Sequence, residues 1–362
     1  MIKVGQSTLY SYIAKIYAVR FLVVFIGLAL VLQALDLLAS SGDVLEPEGA
    51  GMGSLWRYTL LRLPQIATEL PPFTALLATL MTFAALAQHS EIIVMLSSGL
   101  SAYRIVLPLV LASAVIAAGH FLFNETVLVD ANIELDDWKR ADYAVTKQPE
   151  GTPAAIAWAI DGDTLIRVGA VTRGGTILDQ VTLYDRNEDA KLVETTSANF
   201  AAYVKGAWTM FDVTRFTLAD HAIAHEPMLP WETKLPPERF LALAVQPSKV
   251  SFVELWKTTQ ELAAEGQRVM MLQSWLNQKI AGPAASMLMP LLGVLAGFGV
   301  MRSGLMFIRI AIGMALGFSF FVVDNLLLAF GEFGTLPPVL AAWAPIVLFL
   351  LIGLTVVIYA EE

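Results

Sequence analysis

Four charges lie inside long apolar runs, where a charge is tolerated only if it is paired or faces a polar cavity. Arg20 and Asp36 are sixteen residues apart, roughly 24 Å of helix, and Arg309 and Asp324 are fifteen apart, roughly 22 Å. With each arginine at the inner boundary of a ~30 Å hydrocarbon core, both aspartates fall near the outer edge. Either each aspartate pairs locally, for example with Arg57 or Arg62, or the two runs flank an opening whose outer end is polar. Both readings are recognition chemistry, not bond making. No Ser/His/Asp set or carboxylate pair suggests a catalytic residue. His221 and His225 have i, i+4 spacing, which suits a metal only on a helix. They follow a strand pattern and precede Pro227, so they read as solvated loop histidines. His120, one turn from the outer end of its run, reads as a satisfied interfacial residue. The chain has no cysteine and no Gly-Lys dipeptide, so thiolate metal sites and a phosphate-binding loop are ruled out. No cofactor or metal is expected, and any nucleotide must be hydrolysed by another subunit.

A second constellation is Gln88–Tyr103, between the apolar runs Leu70–Ala87 and Ile105–Phe123. Ser90 suits an N-cap, and Glu91 in the first turn complements the helix dipole. Ile92, Met95 and Leu96 make an apolar face, and Gly99 suits a C-terminal stop. A short helix with one acid between two spans reads as a docking knob for a soluble partner, or as a helix lying on lipid.

Spans must position these groups. The 362 residues are 56% hydrophobic and 15% charged, with a mean hydropathy of +0.64, which indicates a membrane protein. A net charge of −9 argues against nucleic acid as a partner. No cleavable signal peptide is expected, because the first apolar run is too long for one. Six spans are expected at about 12–38, 70–87, 105–123, 280–301, 305–331 and 333–360, with 39–69 a connection. Lys3, Lys15, Arg20, Arg104, Arg302 and Arg309 fall on one side, which by the positive-inside rule is cytoplasmic. Both termini and the Glu91 helix are then inside. Gly313 and Gly317 form a small-xxx-small pair suited to close packing or a moving seam, as do Gly293, Gly297 and Gly299.

The block between the third and fourth spans is expected outside. Glu125–Tyr143 reads as a helical extension of the third span. From Ala154 to about Leu218 the period is two, predicting short antiparallel strands in a sandwich or open roll. The alternation breaks near Asp212-Val213, a bulge or a misread register. Pro227–Pro247 reads as an extended return, and Ser251-Phe-Val-Glu254 as a capping box. It opens an amphipathic helix carrying Phe252, Leu255, Trp256 and Leu262. The organisation is spans one to three over 1–123 with the short helix at 89–100, a β domain with flanking helices over 124–267, and spans four to six over 268–362.

In this order the pieces resemble the lipopolysaccharide export permeases of the LptF/LptG family, its LptG branch more closely, over almost the whole chain. The likeness rests on Ala87-Gln-His-Ser-Glu-Ile-Ile-Val-Met-Leu-Ser-Ser-Gly99, Trp158-Ala-Ile-Asp-Gly162, the stretch Pro290 to Ser303, and Phe321-Val-Val-Asp324 followed by Leu336-Pro-Pro338. The resemblance implies an inner-membrane permease of an ABC exporter whose inserted periplasmic domain is a β jelly roll. It also implies pairing with an LptF-type permease, a cytoplasmic ABC ATPase dimer and an LptC-like partner, with lipopolysaccharide as substrate. Ser90, Glu91, Ile92, Met95 and Gly99 would then couple to the ATPase. The first and fifth spans, with Gln33, Asp36, Gly313, Gly317 and Asp324, would form a lateral gate and cavity. Gln33 stands where the family often has a basic residue, so Arg57, Arg62, Lys139 or Arg140 would supply headgroup contacts. The alternatives are a stand-alone secondary carrier, a membrane anchor or intramembrane enzyme, and a lipoprotein-release type of permease.

Overall fold

A computed structural model describes residues 2–144, 157–172, 176–187, 191–204, 206–218, 222–233, 235–237, 240, 247–264, 269–294 and 306–359. It divides into two compact units. One holds 1–147, 251–255 and 270–362, and the other holds 148–250 and 256–269.

The first unit is helical: α1 (Ile2–Leu45), α2 (Met52–Glu69), α3 (Pro71–Gln88), α4 (Glu91–Ser97), α5 (Ala102–Phe123) and α6 (Val129–Arg140), then α8 (Met270–Gly293), α9 (Met306–Glu332) and α10 (Pro338–Tyr359). A π turn at Asn124–Leu128 joins α5 to α6, so the third span does continue as a helical extension. One stripe of α1, comprising Ile13, Tyr17, Phe21, Ala29 and Gln33, is buried at four- and eight-residue intervals. Its other faces expose Leu22, Val23, Ile26 and Leu30, as a lipid-facing helix does. Five helices among the described residues are long and apolar enough to cross a bilayer, at Thr8–Leu45, Pro71–Gln88, Ala102–Lys139, Phe307–Glu332 and Pro338–Ile358.

The expected fourth span is the exception. It begins ten residues early, at Met270, and its continuation through 295–301 lies outside the described residues. Its first half is polar because it sits among other helices, against α3, α5, α9 and α10. Trp343 Nε1 donates to Asn277 Oδ1 at 3.2 Å, Gln278 Nε2 donates to Asp324 at 3.1 Å, and Lys279 pairs with Glu125 at 3.4 Å. These bonds satisfy groups that would otherwise be costly to bury.

The connection expected at 39–69 is corrected: α1 runs on to Leu45, and Met52–Glu69 is a helix despite Pro64 within it. Its buried Tyr58 packs with Val44, Leu135 and Trp138, so tertiary burial overrides local propensity there.

The second unit contains one antiparallel sheet, with strands β1 (Ala157–Asp161), β2 (Thr164–Thr172), β3 (Ile177–Arg186), β4 (Leu192–Val204), β5 (Ala207–Thr217) and β6 (Ala222–Trp231). The inserted β domain is present. Its described strands pair in sequential order, a meander without the crossing connections of a jelly roll. Strand β6 takes up the start of the expected extended return. It carries Pro227 and Pro230, which a sheet tolerates on an edge strand such as this one. The capping box half forms, with Glu254 N donating to Ser251 Oγ at 3.2 Å at the start of α7 (Phe252–Ala264).

The broken alternation has a physical cause that spans the sheet. The pairs flanking Gly169 and Gln180, Val168 with Val181 and Ala170 with Asp179, keep one register while the position between them is unbridged. The same gap falls at Asn199, Asp212 and Pro227 on the next three strands. Gln180 and Asp212 have φ of 51° and 54°. The buried positions therefore step by three across this line, from Leu178 to Val181, Ala198 to Ala201 and Met210 to Val213. The sheet is creased along a row, and a Cβ on Gly169 would stand 2.9 Å from that of Gln180. Because every crossed strand carries the irregularity, no register is lost.

Candidate functional site

Two regions of the helical unit carry the sequence-predicted residues. At the first, α3 ends at His89, whose Nδ1 lies 2.8 Å from the Ala85 carbonyl. Ser90 then turns through φ 57° with no side-chain cap, so it is a left-handed hinge and not the expected N-cap. Its carbonyl still accepts the first helical bond, from Val94 N at 3.1 Å. Gly99, at φ 86°, closes α4 in a Schellman motif: Gly99 N donates to the Leu96 carbonyl and Leu100 N to the Met95 carbonyl.

Ile92 and Met95 do not point outward. Both are buried in the core that also holds Phe83, Ile105 and Tyr17. They fasten α4 to its own bundle. The apolar surface that α4 exposes is therefore Ile93 and Val94, each one position from the buried Ile92 and Met95. Tyr12 of α1 donates to the Glu91 carboxylate at 3.2 Å, a link that no local sequence pattern signals.

The second region is a cleft of about 580 Å³ among α1, α2, α3 and α9. Leu32, Leu35 and Phe73 line it, Phe318 and Phe321 are the contribution of α9, and Asp36 and Arg62 are its ionic pair. Arg62 Nε and Nη2 reach Asp36 at 3.0 and 2.9 Å, while Tyr58 Oη donates to the other carboxylate oxygen at 2.8 Å. Burial, and behind it the Asp36 carboxylate, push the Tyr58 hydroxyl up to about 12, whereas its bond to Ser40 works the other way. Arg62 also donates to Gln65, whose amide donates to Asn132 at 2.6 Å, tying α2 to α6. Asp36 therefore pairs locally with Arg62, and the same pair lies on the wall of the cleft. Tyr58 is the residue the sequence reading missed. Its signal was Tyr58 and Arg62 at i, i+4, obscured by the glycines before them and the proline after.

The other expected gate residues stand elsewhere. Gln33 is buried with no hydrogen-bond partner among the described residues. Asp324 faces Gln278 on α8, not an arginine. Gly313 and Gly317 are packed against α3: a Cβ on Gly313 would come 2.8 Å from Leu80 Cδ2, and one on Gly317 would overlap Leu76. They let α9 approach closely and do not line the cleft. Of the candidate headgroup contacts, Arg57 pairs with Glu134 at 2.9 Å and lies 4.7 Å over the Trp138 ring. Lys139 lies near enough to Asp36 to act on its charge, and Arg140 is on α6. His225 is on β6, its Nδ1 2.9 Å from Thr214 Oγ1, while His221 lies outside the described residues. Among the described residues no cluster of three or more His, Cys, Asp or Glu is placed to hold a metal.

The family model for the lipopolysaccharide export system permeases LptF/LptG matches residues 11–359. The permease protein LptG of Haemophilus influenzae is 27% identical over 363 aligned positions, covering 95% of this chain and 96% of that protein. LptG of Escherichia coli K12 is 28% identical over 358, covering 92% of each. With nearly its whole length matched, this multi-pass helical chain with its inserted sheet belongs to the LptF/LptG family of lipopolysaccharide export permeases.

Proposed function

We propose that the chain is the permease half of an ABC exporter that draws lipopolysaccharide from the outer leaflet of the inner membrane. The lipid enters through the α1–α9 cleft and passes to a periplasmic bridge, driven by ATP hydrolysed in a separate cytoplasmic dimer. The observation that carries this reading is the span of α1. Tyr12, on Glu91 of α4, and Asp36, at the cleft, lie on one unbroken helix. Twenty-four residues separate them, about 36 Å of helix, comparable to a ~30 Å bilayer core. A push on Glu91, Ile93 and Val94 from the cytoplasmic side thus has a stiff route to the cleft.

The energetics call for an external motor. Moving acyl chains into water costs about 0.8 kcal/mol per CH₂, so a many-chained lipid faces a barrier of tens of kcal/mol without an apolar chamber. Leu32, Leu35, Phe73, Phe318 and Phe321 supply apolar walls. Within the cleft Arg62 is the cation for a phosphorylated headgroup, and binding there competes with Asp36. A second permease of LptF type completes the cavity. An LptC-like module continues the path by adding a strand to an open edge of the sheet, β1 or β6. Both termini and α4 are cytoplasmic and the sheet is periplasmic.

Photocrosslinking from Leu32 and Phe318 tests the route: a glycolipid caught at both supports it, and phospholipid alone overturns it. Co-purification tests the motor: Glu91→Lys releases the ATPase if α4 is its seat, and retention of a fully stimulated ATPase refutes that assignment.

A further inference from the structure

A second cavity, of about 610 Å³, lies among α1, α2, α5 and the start of α3 and shares no lining residue with the cleft. Its walls include Phe21 and Phe25 of α1, Leu63 and Pro64 of α2, and Ile116 and Phe123 of α5. None of its lining residues is an acid, lysine or arginine. The size is within the ~300–1,000 Å³ of small-ligand sites. Ile26, Leu30 and Leu60 at its rim are each more than half exposed, so the cavity opens onto an exposed apolar surface.

One lining residue is polar and out of keeping with the rest. His120 is 9% exposed, and neither ring nitrogen has a hydrogen-bond partner among the described residues. The Thr68 backbone lies near enough to act on it without closing such a bond. An imidazole N–H left unpaired in apolar surroundings is costly and calls for an acceptor from outside the chain. Beside it, Gly119 also lines the cavity, and a Cβ there would meet nothing within 4 Å.

We infer that this cavity holds one acyl chain of a membrane glycerophospholipid, with an ester carbonyl accepting from His120. The occupant follows from the walls. Apolar sides suit a hydrocarbon chain, the single neutral donor suits an ester, and the lack of any cation leaves a phosphorylated sugar nothing to pair with. That separates the cavity from the Arg62 cleft. The lipid would act as a wedge between α1 and α5, seated against the helix that links α4 to the cleft. The inference goes beyond the proposed function and needs only that the chain sits in a bilayer.

The full-length protein, in bilayer discs of phosphatidylethanolamine and phosphatidylglycerol, is given a phosphatidylethanolamine bearing a diazirine on one acyl chain. It is then irradiated and its labelled residues are mapped. The expected result is labelling concentrated on Phe25, Ile116 and Phe123, and lost in Gly119→Leu, whose side chain fills the space. His120→Phe, which keeps the ring but removes the donor, should weaken the same labels. Labelling no stronger than on the lipid-facing Val347 and Leu351 would overturn the inference, as would labels unchanged by Gly119→Leu. Displacement of the probe by added lipopolysaccharide, without displacement by unlabelled phospholipid, would also overturn it. Should Gly119→Leu fail to fold, the wild-type map decides alone.

Discussion

Neutralising the ion pair at the cleft mouth separates a structural pair from an idle one. Arg62 approaches Asp36 through two nitrogens at 3.0 and 2.9 Å, but both bonds end on the same oxygen, and Tyr58 occupies the other. The side chains are 31% and 21% exposed, between a surface pair worth ~0.2–1 kcal/mol and a buried one whose breakage costs ~3–5. Discounted for that solvent access, Asp36→Asn and Arg62→Gln should each cost about 1.5–2.5 kcal/mol. The double variant should cost less than their sum by about 1–2 kcal/mol, since each single change strands a partner. The assay is equilibrium unfolding in mixed micelles by dodecyl sulfate titration, followed by tryptophan fluorescence. An interaction energy within ~0.3 kcal/mol of zero would mean that Tyr58 and Gln65 hold the two charges independently. The pair would then not fasten α1 to α2.

Three further changes probe other joints. Gly317→Ala drives a methyl into Leu76 and should destabilise by ~1–3 kcal/mol in the same titration, and the double variant with Leu76→Ala should cost less than the sum of the two single changes. Asp212→Gly at φ 54° should stabilise the protein by up to ~1 kcal/mol and Asp212→Val should destabilise it by ~1–2, read from thermal unfolding; equal effects would deny the crease any strain. Tyr12→Phe keeps the ring but removes the hydroxyl from Glu91. It should lower ATPase stimulation by up to ~5-fold, as expected for a coupling of ~1 kcal/mol, without changing the amount of ATPase bound.

Membrane spans were legible wherever lipid contact demanded a continuous apolar run, as in α1, α3, α5, α9 and α10. Two helices were harder to read, for opposite physical reasons. In α2, glycines precede and a proline interrupts a helix whose stability comes from Tyr58 and its neighbours. In α8, Asn277, Gln278 and Lys279 are satisfied by partners on distant helices, which a hydropathy run cannot register. The sheet showed its period but not its crease, because a row such as Gly169, Gln180, Asn199, Asp212 and Pro227 has no common residue type. At α4 the motif located the helix, yet the face it presents depended on a left-handed Ser90. Gly313 and Gly317 illustrate the same limit: their spacing marked close contact, but only the fold shows that Leu80 and Leu76 are what they contact.

The central claim, that α1 carries a cytoplasmic push from Glu91 to the cleft, is tested most directly by distance measurement across that cleft. Spin labels at Leu32 and Phe318 in the assembled complex, compared before and after trapping nucleotide in the ATPase, should come closer in the wild-type chain. In Tyr12→Phe, which keeps the ATPase bound, they should close less. Closure of the same size in both proteins would contradict the account, and so would a cleft that stays open in the wild type with nucleotide trapped.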